Sequence, residues 1–491
     1  MSGRIALATG LFWGVLVGCG GGRSLPADGG GGQSGNALDQ QLIADVDVLF
    51  VIKDSASQAE VQADLVANFP VFLDGLGAND NGLPNLHLGV ITTSMGAGAF
   101  TASIRGCQYP DFGNLVHDVR AAIDPVCSTV RITGSEHYIV ALANESQTNY
   151  SGNLSDVFGC IAQVGSSGCG FEQPFAAARA ALGDPQMGLT PPAGNQGFLR
   201  DRALLAVLMF MDEDDCSVPS DSMLFDPSQN MLSDPLGPLA SFRCTEFGIT
   251  CDGLTANNGR IPRTAGGPYS NCHSNDALAQ IDPLHALTPL QFFVDYFQRV
   301  KALPGHEVLA AFAAHPQPFS VAVDPVTQFP SLLHSCSSSN GPIGDPAVRI
   351  KQLIDSLGDR GFFTSVCQNS YHNSMAGLAR LVGAPLRNCL QAVPADVANP
   401  GQPVPLPDGA VDPNRVSCTA ADGAGAIAPC NLAGQPSGTC WALLSAPDCA
   451  TGIRAAVCRN GFAAISSGQP CPPGPNPAPE GDRVVLHCAT P

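Results

Sequence analysis

The 491-residue chain is short of charge, and of positive charge above all. Only 13% of its residues are charged, and 42 Asp and Glu stand against 23 Lys and Arg, for a formal net charge of −19. So acidic a surface repels phosphate backbones and anionic headgroups, which excludes nucleic acid and a charged membrane face as partners. The motifs of the common catalytic classes are also missing. There is no HExxH, no GxSxG, no P-loop and no GxGxxG after a strand, and His306-Glu307 has no second histidine behind it. None of the 19 cysteines falls in a CxxC pair, which argues against zinc ribbons and dithiol redox centres. No apolar run reaches the roughly 20 residues that a bilayer-spanning helix needs. An enzyme is therefore not indicated, although scattered serines, aspartates and ten histidines leave open a hydrolase with an unfamiliar Ser/His/Asp set. His87, inside an apolar strand, reads as a hydrogen-bonded core residue.

What is present begins at the start of the chain. Ile5 to Val17 is largely apolar, follows Arg4, and ends in Leu16-Val17-Gly18-Cys19. That length suits a signal-peptide core, with residues 1–18 removed. The box resembles the lipobox of bacterial lipoproteins. The resemblance implies a diacylglycerol on the Cys19 thiol, and several acyl chains there hold firmly where one alone is marginal. Gly20 follows rather than Asp, so inner-membrane retention is not implied, and the outer membrane is favoured. The Gly-rich run behind Cys19 makes residues 19–43 a flexible tether. The expected setting is the cell envelope, with membrane contact through the lipid only.

The cysteines agree with export. Setting Cys19 aside leaves 18 of the 19, an even number suited to structural disulfides. Cys160 with Cys169, and Cys244 with Cys251, are plausible short-range pairs. Eleven cysteines lie from Cys107 to Cys389 and seven from Cys418 to Cys488. Both counts are odd, so full pairing requires at least one bridge between the two groups. Cys389 is the candidate on the first side.

Residues 44–390 alternate apolar strands with amphipathic helices, which predicts an α/β fold with a mostly parallel sheet. The strands are read at Val46 to Ile52, Leu86 to Thr92, Leu204 to Met211 and Val308 to Ala314. A helix after the first carries Val61, Leu65, Phe69, Phe72 and Leu76 on one stripe, with a kink expected at Pro70. Further helices are read at Glu172 to Leu182, Pro289 to Leu303, after Asp345-Pro346 as N-cap and N1, and at Ser374 to Val382. Gly96 to Ser155 and Ser217 to Leu287 are too long for bare connections and read as disulfide-held insertions. Residues 391–414 form a Pro/Ala/Gly linker, and 415–491 a small Cys-rich module.

Two strong strands end in polar clusters, Lys53-Asp54-Ser55-Ala56-Ser57 and Asp212 to Asp215. Gly165-Ser166-Ser167-Gly168 precedes a helix. In parallel sheets ligands gather beyond the carboxyl ends of the strands. In order, DVDVLFVIKDSAS, LHLGVITT, GCGFEQP and MDEDDCS resemble segments of the von Willebrand factor A (VWA) family, and of large VWA-like bacterial lipoproteins in particular. The resemblance implies a doubly wound sheet with helices on both faces and a metal-ion-dependent adhesion site. Ser55 and Ser57 match the serines of its DxSxS turn, Ser166 its threonine, and Asp212 its later acid. The leading Asp falls on Lys53, and an ammonium repels a cation. Either Lys53 replaces the ion by pairing with Asp212, or Asp54 swings in and restores a weak Mg or Ca site. No cofactor is firmly expected. Bland readings stand beside these: Ser57 as a helix N-cap, Asp212 to Asp215 as a solvated loop or loose Ca²⁺ site. The function so implied is adhesion or binding of an envelope or surface protein, with an envelope hydrolase or a structural scaffold as the alternatives.

Overall fold

Long β-branched and apolar runs become strands buried on both faces, because only a sheet covered by helices hides every side chain of such a run. The computed structural model describes residues 37–42, 45–56, 58–77, 83–120, 125–142, 145, 147–301, 305–338, 342–406, 409–422, 425–432, 438–447, 449, 451–458 and 484–491. The expected signal peptide, Cys19 and Ser57 lie outside the described residues. Strands β1 (Asp45–Ile52), β2 (Asn85–Thr92), β3 (Ile139–Leu142), β4 (Leu204–Phe210), β5 (Glu307–Phe312) and β6 (Gly361–Thr364) form one sheet. Its order is β3-β2-β1-β4-β5-β6, with the short strand Gln147–Thr148 beyond β3. The pairs from β2 across to β6 are parallel, and β3 alone among the six runs antiparallel to its neighbour β2.

Helices cover both faces. On one lie α1 (Ala59–Gly77), α2 (Leu154–Ala162) and, later in the chain, the helix His372–Gly383. Phe50, Phe69, Phe72 and Phe158 cluster there, with rings 3.8 to 6.4 Å apart. All five residues of the predicted stripe are buried. Helix α1 runs on through Pro70, which faces solvent, because the stripe anchors it to the sheet on both sides. Gly75 permits close approach of the His372–Gly383 helix: a Cβ there would lie 2.4 Å from that of Ala379. The other face holds α3 (Pro174–Leu182), α4 (Leu290–Arg299) and α5 (Val348–Asp355), packed by Phe175, Phe293 and Leu353 onto Leu49, Val207 and Leu309.

Three expectations change. Helix α5 starts at Val348, not at Asp345-Pro346. Its free N–H groups at Val348, Arg349 and Ile350 donate to the Asp214 carboxylate at 2.9, 2.9 and 3.0 Å. A remote side chain caps this helix, and the local Asp-Pro pair does not. The cysteine pairs also differ. Cys160 bonds Cys127 and Cys169 bonds Cys107, while Cys244 bonds Cys216 and Cys251 bonds Cys272. Cys160 is buried inside α2, whereas Cys169 lies past that helix on a loop above the sheet, so nearness in sequence does not align their thiols. Finally, the expected tether and linker both surrender residues to the C-terminal module. Ala37–Leu42 pairs antiparallel with Val484–Ala489 at the edge of a six-stranded sheet. Val404 and Val411 of the Pro/Ala/Gly segment are buried in that sheet's core, and Ala395–Asp396 pairs with Asn399–Pro403. Apolar residues in a Pro-rich context still seek burial.

Cys389 bonds Cys449, joining the two cysteine groups. Eight disulfides among the described residues belong to an oxidising compartment, so the chain is an exported one.

Candidate functional site

The strand order reverses between β1 and β4, and the crevice at that switch point is where doubly wound sheets place ligands. Ile52 and Phe210 are register partners, and the Lys53 N–H donates to the Phe210 carbonyl at 3.3 Å. This register brings Lys53 and Asp212, 159 residues apart, to the same spot.

Lys53 is 1% exposed. Its Nζ donates to Asp212 Oδ1, lies 3.2 Å from Glu213 Oε1 and stands 4.0 Å from Glu172 Oε1. Burial alone disfavours the ammonium, but Glu213, Glu172 and Asp212 outweigh it and push the Lys53 pKa above the ordinary lysine range. Glu172, just ahead of α3, accepts from the Thr93 and Ser55 hydroxyls. Its burial pushes the carboxyl up to about 8 against the pull of Lys53. Glu172 Oε1 is buried and has no hydrogen-bond partner. From the sequence, Glu172 is expected only as a helix start. It lies four residues past the polar loop Gly165–Gly168, and nothing local singles it out.

The other expected residues divide. Ser55 is buried against Glu172 and thus belongs to the Lys53 group. Asp54 faces away from it. Its carbonyl accepts from the Gly168 N–H at 2.7 Å, and its carboxylate bonds Ser94 and neighbours Asp111. A Cβ on Gly168 would come within 2.3 Å of the Asp54 carboxyl, so only glycine fits there. Ser166 is exposed on the loop that Gln62 ties to α1, through bonds of 2.8 and 3.3 Å with Gly165. In the acidic run after β4, Asp214 caps α5 and Asp215 pairs with buried Arg349 at 3.1 Å. These two are structural partners, not a solvated loop. His87 Nδ1 meets the Phe198 carbonyl at 3.0 Å, inside the core as expected.

These residues do not fit a divalent metal. Mg²⁺ and Ca²⁺ need converging oxygens, and here an ammonium already holds the Asp212 carboxylate. Among the described residues, no group of three or more His, Cys, Asp or Glu is arranged to hold a metal ion.

Beside Lys53 a pocket of about 150 Å³ opens between the strand ends and the second insertion. Glu172, Glu213, Asp214, Asp215 and Asp345 line it together with Phe242, Ile249, Phe319 and Leu332.

Asp54 makes the stability of this rim depend on pH. Burial first, then the Asp111 carboxylate, raises its pKa from 3.8 to about 7. The folded state thus holds a proton that the unfolded chain releases, so stability falls as pH rises from about 4 to about 7. Asp54→Asn should remove that part of the slope and gain on the order of 2 kcal/mol at pH 8. Urea unfolding of both proteins at pH 4 and pH 8 checks it, and parallel pH profiles would contradict it.

No family model matches the chain, and no curated protein matches it. Among solved structures it is similar to the pilus adhesin SpaC from Lactobacillus rhamnosus GG in its open conformation. That likeness has 10% identity and a TM-score of 0.28, over 92% of this chain and 40% of that one. It is similar also to the pilus adhesin RrgA from Streptococcus pneumoniae, with 8% identity and a TM-score of 0.27, over 93% of this chain and 57% of that one. The chain therefore spans less than two thirds of the length of either adhesin.

Proposed function

We propose that this chain is a binding protein displayed on the cell envelope, held by a lipid on Cys19. Its VWA-like domain would bind a protein partner at the carboxyl end of the sheet. The observation that carries the reading is the buried Lys53–Asp212 contact at the switch point between β1 and β4. In the VWA resemblance the loops after β1, before α3 and after β4 build an ion-dependent adhesion site. Here the same loops converge, and the Lys53 ammonium supplies the positive charge at their centre. A fixed organic cation keeps the rim assembled without a metal.

Binding is favoured over hydrolysis by what the rim hydroxyls do. A serine nucleophile needs a histidine base on its hydroxyl. The buried hydroxyls of Ser55 and Thr93 both donate to the Glu172 carboxylate instead.

Ser166, exposed on the rim, offers a test that leaves the buried network intact. Ser166→Trp should reduce recovery of the wild-type partner from envelope extract by about tenfold or more, with an unchanged melting temperature. Equal recovery would remove this strand end from the binding surface.

A further inference from the structure

We infer that the acid-lined pocket beside Lys53 receives a cationic side chain, arginine or lysine, of the partner protein. The inference rests on the binding reading above and gives it a chemistry.

Charge is the first argument. Six carboxyl groups gather here, those of Glu172, Asp212, Glu213, Asp214, Asp215 and Asp345, and Glu172, pushed up to about 8, holds its proton at neutral pH. The cations facing them are Lys53 and Arg349, joined by His334 when protonated. The balance is negative even with every cation counted. Most of the acids are already committed. Asp212 belongs to Lys53, Asp214 to the N–H groups of α5, Asp215 to Arg349 and Ser217, and Asp345 to His334 at 2.7 Å.

Glu213 is left with what remains of the Lys53 ammonium at 3.2 Å, and the Glu172 carboxyl stands farther off at 4.0 Å. The Glu213 side chain is 32% exposed, and so reachable from the pocket. Glu172 is 1% exposed, lines the same pocket, and keeps one oxygen with no hydrogen donor. A buried carboxyl oxygen without a hydrogen-bond partner is costly even on a neutral acid, and a ligand that brings N–H groups relieves the cost.

The apolar wall decides between kinds of cation. Phe242, Ile249, Phe319 and Leu332 gain nothing from a bare ion, but they suit the methylene stem of a long basic side chain whose head reaches the acids. The wall is also held in place. Cys216–Cys244 fastens the helix Phe242–Gly248 to the residue just after the acidic run Asp212 to Asp215, and Cys251–Cys272 closes the loop behind it. A preformed pocket spares the ordering cost of binding.

The test uses the mature full-length chain and three probe peptides, acetyl-Gly-Arg-Gly-amide, its lysine counterpart and its neutral citrulline counterpart, read by saturation-transfer NMR titration. The arginine and lysine peptides should bind about tenfold tighter than citrulline. Ser331→Trp places a bulky ring at an exposed position of the pocket lining, and should abolish the signal. Glu213→Gln should weaken binding by about fivefold or more, whereas Asp118→Asn, a fully solvated acid elsewhere, should not. Citrulline binding as tightly as arginine, binding that survives Ser331→Trp, or no saturation by any peptide would each overturn the inference. Should the pocket fail while Ser166→Trp still abolishes partner capture, the binding reading stands and only its chemistry falls. Should peptides bind while Ser166→Trp captures partner normally, the pocket stands and the wider rim does not.

Discussion

Lys53→Met should cost about 3–5 kcal/mol of stability, measured by urea unfolding at pH 7.5. Methionine keeps the length and apolar stem of the lysine and removes only the ammonium. Asp212 and Glu172, both nearly fully buried, would then face each other and Glu213 without a cation between them. Breaking a buried pair costs more than the pair contributes, because the abandoned charge stays in low dielectric. The sign of the pH dependence follows. Carboxyls held above their unfolded values bind protons in the folded state, so the variant should recover as pH falls toward 4. Glu172, already pushed to about 8 beside Lys53, would rise further without it. Lys53→Asp makes the companion test. It adds a carboxylate where the ammonium stood, so the metal-free variant should be less stable still. Mg²⁺ or Ca²⁺ at millimolar concentration should raise its melting temperature and leave wild type unmoved. A Lys53→Met protein that melts like wild type, or a wild type stabilised by Mg²⁺, would show that the ammonium does not organise this rim.

Cys19→Ser should move nearly all of the chain from the membrane pellet to the soluble fraction and abolish labelling by radioactive palmitate. Each buried methylene of an acyl chain contributes roughly 0.8 kcal/mol, so two or more chains hold a protein firmly and their loss releases it. Among the described residues no helix is long and apolar enough to cross a membrane, and the acidic chain is repelled by anionic headgroups. A Cys19→Ser protein that still sediments with membranes would place the anchor elsewhere.

The legible parts of this fold were those with short-range signals. Continuous apolar runs marked β1, β2, β4 and β5 to within about two residues, and the stripe from Val61 to Leu76 marked the buried face of α1. Short or half-buried strands escaped. Ile139–Leu142 lies inside a long insertion, and none of the four residues of Gly361–Thr364 is fully buried. Neither is long enough for periodicity to separate it from a loop. The site was legible as three polar loops and as the anomaly of Lys53 within a DxSxS-like turn. Glu172 was not, because nothing local distinguishes an acid that starts a helix from one that faces a buried ammonium.

By itself the sequence determined the alternation of strands and helices, the lack of CxxC pairs, and the presence of a cation where the DxSxS-like turn of the VWA pattern leads with an acid. All of these are properties of a residue and its near neighbours. Only the tertiary structure decided which cysteines meet, that Asp214 rather than Asp345 caps α5, that Asp54 turns toward Asp111, and that Lys53 meets Asp212, Glu213 and Glu172 together. Each of these joins positions far apart in the chain. Parallel strand register and helix packing set such contacts, and a residue's own neighbourhood carries no trace of them.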